Sequence, residues 1–181
     1  MAACYPGCVL VSYEATPLVL TPEKAHKILD ELFKVETMFS DYQPACAELC
    51  GYCELCLNRK RAIVSNLWGP NSLAYEVWKD DELVGIIYFK DIVPGVDAMG
   101  ELTFWDKDLR GKAGIINQVV DSIAFGDTLR LHRLTVHVPV KMKSLVRFLE
   151  RKLGFEIEGT KREAMRWGGE WIDMVILGRV N

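Results

Sequence analysis

Apolar positions recur along this chain with two periods, and the switches between them predict its elements. The segments 74–79 (AYEVWK) and 83–90 (LVGIIYFK) flank Asp80-Asp81 and read as a β-hairpin. The second arm is almost continuously apolar, as a central strand covered on both faces should be. A strand is expected at 101–105, and another at 131–138, where Leu134, Val136 and Val138 alternate with Arg133, Thr135 and His137. Helical spacing appears in three places. Thr21-Pro22-Glu23 has the composition of a helix start, and Ile28, Leu29, Leu32, Phe33 and Val35 give 22–35 one apolar face. Ile115, Ile116, Val119, Val120 and Ile123 do the same for 114–125, which stops at Gly126. Met142, Leu145, Val146, Leu149 and Leu153 define a helix over 142–153 with Gly154 as its C-cap. Short strands at 155–158, 162–167 and 171–177 follow, the last two joined by Gly168-Gly169. A strand-like LVSYEA and a Pro17 break precede the first helix. The expected fold is α/β (mixed α+β): a mixed, largely antiparallel sheet of about six or seven strands with helices on both faces. At 181 residues one domain is expected, 1–181, with a divergent 1–73 preceding a core at 74–181.

The candidate chemistry sits between the 101–105 strand and the 114–125 helix. There Arg110-Gly111-Lys112-Ala113-Gly114 forms a glycine-bearing basic loop ahead of a helix N-terminus. The first amides of a helix lack intrahelical partners, and the helix dipole adds about half a positive charge. Gly111 and Gly114 allow a bulky ligand close to the backbone. A phosphate or pyrophosphate is the expected ligand, a plain loop the alternative. Net charge is −3, unevenly spread: residues 107–166 hold 13 Lys and Arg against 7 Asp and Glu, a net +6, and the remainder 9 against 18. That favours a small polyanion over a nucleic acid, with a solvated basic face as the bland reading. No apolar run approaches the ~18 residues of a membrane span, and no basic start of a secretory signal is seen, so a cytoplasmic protein is expected.

From 74 to 179 the order of elements resembles the GCN5-related N-acetyltransferase (GNAT) superfamily. Its acetyl-CoA loop, Arg/Gln-x-x-Gly-x-Gly/Ala, corresponds here to Arg110-Gly111-Lys112-Ala113-Gly114-Ile115, with Ala at the first Gly position and Ile at the last. The tail resembles the branch that acetylates ribosomal-protein N-termini, through Gly154, Phe155, Glu158, Gly159, Arg162, Ala164 and Asp173. The resemblance implies acetyl-CoA as co-substrate, held by the loop Arg110, Gly111, Lys112, Ala113, Gly114 and Ile115. It further implies backbone contacts at Phe104, Trp105 and Asp106, with Lys143 completing the cofactor-binding set. It implies transfer of the acetyl group to an amine of a protein or peptide. Glu101, the one acid on its strand, takes the place of the family's base. Ser144, the sole hydroxyl in its helix, stands nearest the family's acid, although counting back from Gly154 puts Val146 there. No Tyr follows Tyr88, and His132 and His137 are alternatives to these two. The altered loop and the displaced hydroxyl also fit a second reading, a GNAT fold kept as a non-catalytic binding or assembly component acting through its N-terminal third.

Cys46, Cys50, Cys53 and Cys56 are spaced 4, 3 and 3 apart, which in a helix places them along one stripe. Buried free cysteine behaves as a small hydrophobe, so a core stripe is the reading preferred to a zinc or iron–sulfur site. Elemental analysis of the purified protein is expected to find no stoichiometric zinc or iron. One equivalent of either metal, lost in Cys50→Ser, would overturn that reading.

Overall fold

The structure, a computed structural model, describes residues 13–19, 21, 24, 27–31, 67, 69–105, 110–167 and 169–181. The cysteine stripe at 46–56 lies outside them. Seven strands form one sheet: β1 (Tyr13–Pro17), β2 (Leu73–Lys79), β3 (Glu82–Val93), β4 (Asp97–Phe104), β5 (Arg133–Pro139), β6 (Glu156–Trp167) and β7 (Glu170–Val180). Their order is β1-β2-β3-β4-β5-β7-β6, and every pair is antiparallel except β4 with β5. This is the mixed, largely antiparallel sheet expected from the hydrophobic pattern.

The β2–β3 hairpin turns at Asp80 and Asp81, whose φ values of 45° and 67° are those of a tight turn matched to strand twist. The parallel β4–β5 pair needs a crossover, and the chain supplies one. A 3₁₀ turn, Arg110–Lys112, leads into helix α1 (Ala113–Val119), which loosens into a π-helical turn at Val120–Ala124. The amide of Phe125 then donates to the Val120 carbonyl, five residues back, at 3.0 Å. The expected 114–125 helix is therefore seven α-helical residues with a wider last turn. Helix α2 (Lys143–Leu153) ends at Gly154, whose φ of 69° is the left-handed C-cap conformation. Asn117 of α1 donates to the Lys152 carbonyl at 2.9 Å, tying the two helices together.

Strand alternation sends side chains into two cores. On one face Val77, Ile87, Phe89, Ala98, Leu134 and Leu177 pack beneath α1 and α2, against Ile116, Val119, Leu149 and Leu153. On the other, Ala74, Ile86 and Tyr88 meet Ile28 and Leu67, with Leu29 beside them, and Ile28 is fully buried. Residues 27–31 are helical, and the Lys24 amide donates to Thr21 Oγ1 at 3.3 Å, the expected N-cap. Helices thus cover both faces. Lys24 also reaches the sheet, bonding the buried Glu76 carboxylate at 2.9 and 3.2 Å, which accepts a third bond from Trp78 Nε1 at 3.1 Å.

One expectation needs correction. The strands 155–158 and 162–167 are a single twelve-residue β6, with irregularities between Ile157 and Gly159 and between Lys161 and Met165. The polar run between them reads as a loop because the extra residues break the alternation. Glu163 (φ 47°) sits in the second irregularity, and its amide donates to the Asp173 carboxylate at 2.9 Å.

Gly85 faces Phe104 across the β3–β4 ladder, and a Cβ there would lie 2.2 Å from the Phe104 ring and 2.6 Å from the Thr103 carbonyl oxygen. Gly85→Ala is expected to destabilise the fold by about 1–3 kcal/mol, the usual cost of overpacking, in urea denaturation. Phe104→Leu in the same chain should recover part of that loss. Equal stability of Gly85→Ala and wild type would show that the ring is free to move aside.

Candidate active site

Strands β4 and β5 start side by side and then part. Their ladder covers Asp97↔Arg133, Ala98↔Leu134 and Met99↔Thr135 and stops there, while β4 continues to Phe104 and β5 to Pro139. A cavity of about 380 Å³ fills the gap, bordered by Met99–Thr103 of β4 and Val136–Pro139 of β5. It lies toward the C-terminal ends of both parallel strands, where crevices in open α/β sheets take ligands. Hollows of about 390 and 440 Å³ also occur by the β2–β3 turn, but they are lined largely by charged residues and no ladder opens there.

The cavity passes between the strands, so both faces of the sheet contribute to it. Leu102, Val136, Val138, Leu145 and Leu149 line it on the side of α1 and α2. Tyr88, Lys90, Glu101, Thr103 and His137 supply its polar side chains. Glu101 stands opposite Tyr88 in the β3–β4 register, and its carboxylate accepts a hydrogen bond from the Tyr88 hydroxyl and pairs with the Lys90 ammonium. Its side chain keeps 35% of its exposure, so it is neither sealed nor simply solvated. Burial holds the His137 imidazole below its ordinary pKa, helped by the positive charges of Lys161 and Lys90, which outweigh Glu101. A neutral imidazole is therefore available at neutral pH as a proton acceptor.

Past β4, the loop residues divide by exposure. Gly111 and Gly114 are exposed, and a Cβ at Gly114 would meet nothing within 4 Å. No side chain caps the start of α1, which continues directly from the 3₁₀ turn, and its first turn carries no acid. Lys112 points the other way. It is fully buried, with Nζ 5.1 Å from the Phe104 ring centroid and 5.4 Å from that of Tyr13, so its charge lies against ring faces. Ala113 is half-buried and Ile115 is core.

The other candidates scatter. Phe104 packs on Gly85 within the helix-side core, whereas half-buried Trp105 turns to the opposite core and donates from Nε1 to the Leu83 carbonyl at 2.7 Å. Arg110 opens the 3₁₀ turn, and Asp106 lies outside the described residues. Lys143 and Ser144 are exposed in the first turn of α2 and are not among the cavity-lining residues. The cavity brings Glu101 together with His137, Tyr88 and Lys90, the last two unmarked by any sequence motif. The position of Tyr88 in an otherwise apolar strand hid it, and the hairpin register is the signal that pairs it with Glu101.

The chain matches the family model for the acetyltransferase (GNAT) domain over residues 56–176, about two-thirds of its length, and it belongs to that family. No curated protein sequence matches it significantly. Solved structures do: a spermidine N-acetyltransferase from Vibrio cholerae in complex with CoA and spermine is similar at 18% identity and a TM-score of 0.68, over 92% of this chain and 95% of that one. The spermidine/spermine N-acetyltransferase of Vibrio cholerae in complex with manganese ions is similar at 16% identity and a TM-score of 0.65, over 93% and 92%. At these identities the likeness establishes the fold. Among the described residues no group of His, Cys, Asp and Glu could hold a metal ion, and no helix is long and apolar enough to cross a membrane.

His137 makes stability depend on pH in a stated direction. Its folded pKa lies below the ordinary value of ~6.5, so between the two the unfolded chain binds a proton that the folded chain does not. Stability should hold above pH ~6.5 and fall as pH drops through it. In His137→Gln the urea midpoint should lose less between pH ~7.5 and ~5 than in wild type. An identical loss in both proteins would show that His137 is not held neutral.

Proposed function

We propose that this chain is an acetyl-CoA-dependent N-acetyltransferase whose acceptor is the amine of a protein or peptide. The reading rests on one observation: in a GNAT chain, β4 and β5 diverge and open a cavity between them, and the strand that leaves the ladder runs on in sequence to the exposed glycines of the 110–114 loop. CoA supplies the acetyl group as a thioester and carries the phosphates that suit the loop. Arg110, Gly111 and Gly114, with the start of α1, are proposed to hold the phosphates. The Phe104, Trp105 and Asp106 backbone and the diverging β4 edge would bond the pantetheine arm as an added strand. Lys112 is proposed to support the loop from beneath, and Ala113 and Ile115 to seat it on the core. Lys143, exposed at the start of α2, remains a proposed outer contact.

A free α-amine has a pKa near ~8 and needs only modest help to lose its proton. Glu101 is proposed as the base, with neutral His137 in the same wall to share the load. The tail residues from Gly154 to Asp173 support the ribosomal-protein branch by resemblance, and the acceptors named for the similar solved structures are polyamines. A second reading, binding without turnover, is favoured by a specific observation: the Glu101 carboxylate is already engaged by Tyr88 and Lys90. In addition, Ser144 is not among the residues that line the cavity.

Acetyl-CoA should raise the melting temperature, since a ligand bound by the native state alone stabilises by mass action. Gly111→Asp should abolish that shift by placing a negative charge where the pyrophosphate sits. Thiol release with an amine-bearing peptide pool should fall in Glu101→Gln by about 10²-fold or more, most strongly at low pH where the amine is protonated. Ser144→Ala should keep close to the wild-type rate. Stabilisation by acetyl-CoA without thiol release on any peptide would favour the binding reading, and no stabilisation would defeat both.

A further inference from the structure

Four of the chain's six methionines line the β4–β5 cavity: Met99, Met142, Met165 and Met174. They come from β4, the turn before α2, β6 and β7, so no local motif collects them. Methionine is unbranched, polarizable and adaptable, and suits a wall that must accept an apolar group of variable shape. Register puts three of them on one face of the sheet. Met99 is two residues from Glu101 along β4, while Met165 pairs with Ile172 and Met174 pairs with Lys161 across the β6–β7 ladder. That is the face of Tyr88, away from α1 and α2.

The charges of the same wall point the same way. Glu101 is its one carboxylate among the described residues, and Lys90 already matches it. His137 sits under the positive fields of Lys90 and Lys161. A polyamine seated here would set its remaining ammonium groups against thioethers and beside these two lysines, with no second carboxylate among the described lining residues to receive them. Leaving a charge desolvated and unpaired is costly. A single amine has no such remainder, because the nitrogen that reacts must be neutral.

We infer that the acceptor is a primary monoamine carried beside an apolar group, and that the Met99, Met165 and Met174 wall selects it against polyamines. The inference rests on the acetyltransferase reading above. The amine nitrogen forms a bond to the thioester carbonyl carbon, the carbon–sulfur bond breaks, and the thiolate leaves. One proton leaves the nitrogen and one is taken up by the sulfur, with no oxidant or reductant needed.

Thiol release from acetyl-CoA by the full chain is measured with spermidine, 2-phenylethylamine and a short peptide with a free N-terminal methionine. Both apolar amines share the proposed chemistry, and the better of them identifies whether a small molecule or a peptide supplies it. The better is expected to exceed spermidine in kcat/KM by at least about tenfold, the scale on which apolar pockets discriminate. Met174→Glu and Met165→Glu each add a carboxylate to the wall and should lower that ratio several-fold. Spermidine equal or superior in wild type would overturn the inference, as would an unchanged ratio in both folded variants. Stabilisation by acetyl-CoA with turnover of none of the three amines would also overturn it, leaving the cofactor site intact. Absence of stabilisation would instead remove the acetyltransferase reading, and this inference with it.

Discussion

The early end of the β4–β5 ladder is the constraint on which the rest of this molecule depends. A strand can leave its neighbour only if its backbone and its apolar side chains are satisfied elsewhere. Strand β4 is held by β3 from Gly85↔Phe104 to Val93↔Asp97, and β5 is held by β7 through all seven of its residues. The two halves of the sheet are thus separately secured, and three shared pairs suffice to join them. Helix α1 and its π-helical turn make the crossover, and the Asn117 bond to Lys152 fixes it to α2. The opening is a consequence of strong pairing on the outer sides, and so it can stay open without a ligand.

Some of the charge in the basic segment is matched within the fold, which changes what that segment means. Of its cations, Lys112 lies on ring faces, Arg133 pairs with Glu158, and Lys141 bonds Glu170 at 3.1 Å. Arg133 also donates to Thr135 at 3.2 Å, and the Thr135 hydroxyl bonds Asp97. These partners draw on acids from both the basic segment and the acidic remainder. A net +6 counted along the sequence therefore overstates the positive charge available to a polyanion. The phosphate contacts proposed above lie on the exposed glycines Gly111 and Gly114 and at the start of α1, which no side chain caps. Such an arrangement would recognise an anion by direction more than by total charge.

Alternation and capping residues were enough to read the sheet, because they report local geometry. Thr21, Asp80-Asp81 and Gly154 all occupy the turn or cap that their chemistry implies. The β6 bulges were missed because an inserted residue breaks the very period that identifies a strand. The Glu101 partners were missed for a different reason. Tyr88 and Lys90 are thirteen and eleven residues away and meet it only through the hairpin register, and the methionine wall is assembled from four elements. Nothing in the period or composition of one segment encodes a juxtaposition of that kind.

The most specific motif in the sequence turns out to speak mainly of architecture. Gly154 caps α2, Phe155 is buried in the helix-side core, Glu158 pairs with Arg133, and Asp173 holds the bulge at Glu163. Residues in such roles answer to the helix and the bulged hairpin they hold, whatever amine is handled. That is why a family model and solved structures at 16–18% identity agree on the fold while leaving the acceptor open. On the inference drawn above, the choice of acceptor falls instead to side chains that the fold does not require, such as Met99, Met165 and Met174 on the cavity wall. A change of methionine to glutamate there alters the charge met by an entering amine without touching a cap, a bulge or a strand pair. Specificity can therefore drift at the diverging strands while the sheet around them stays the same.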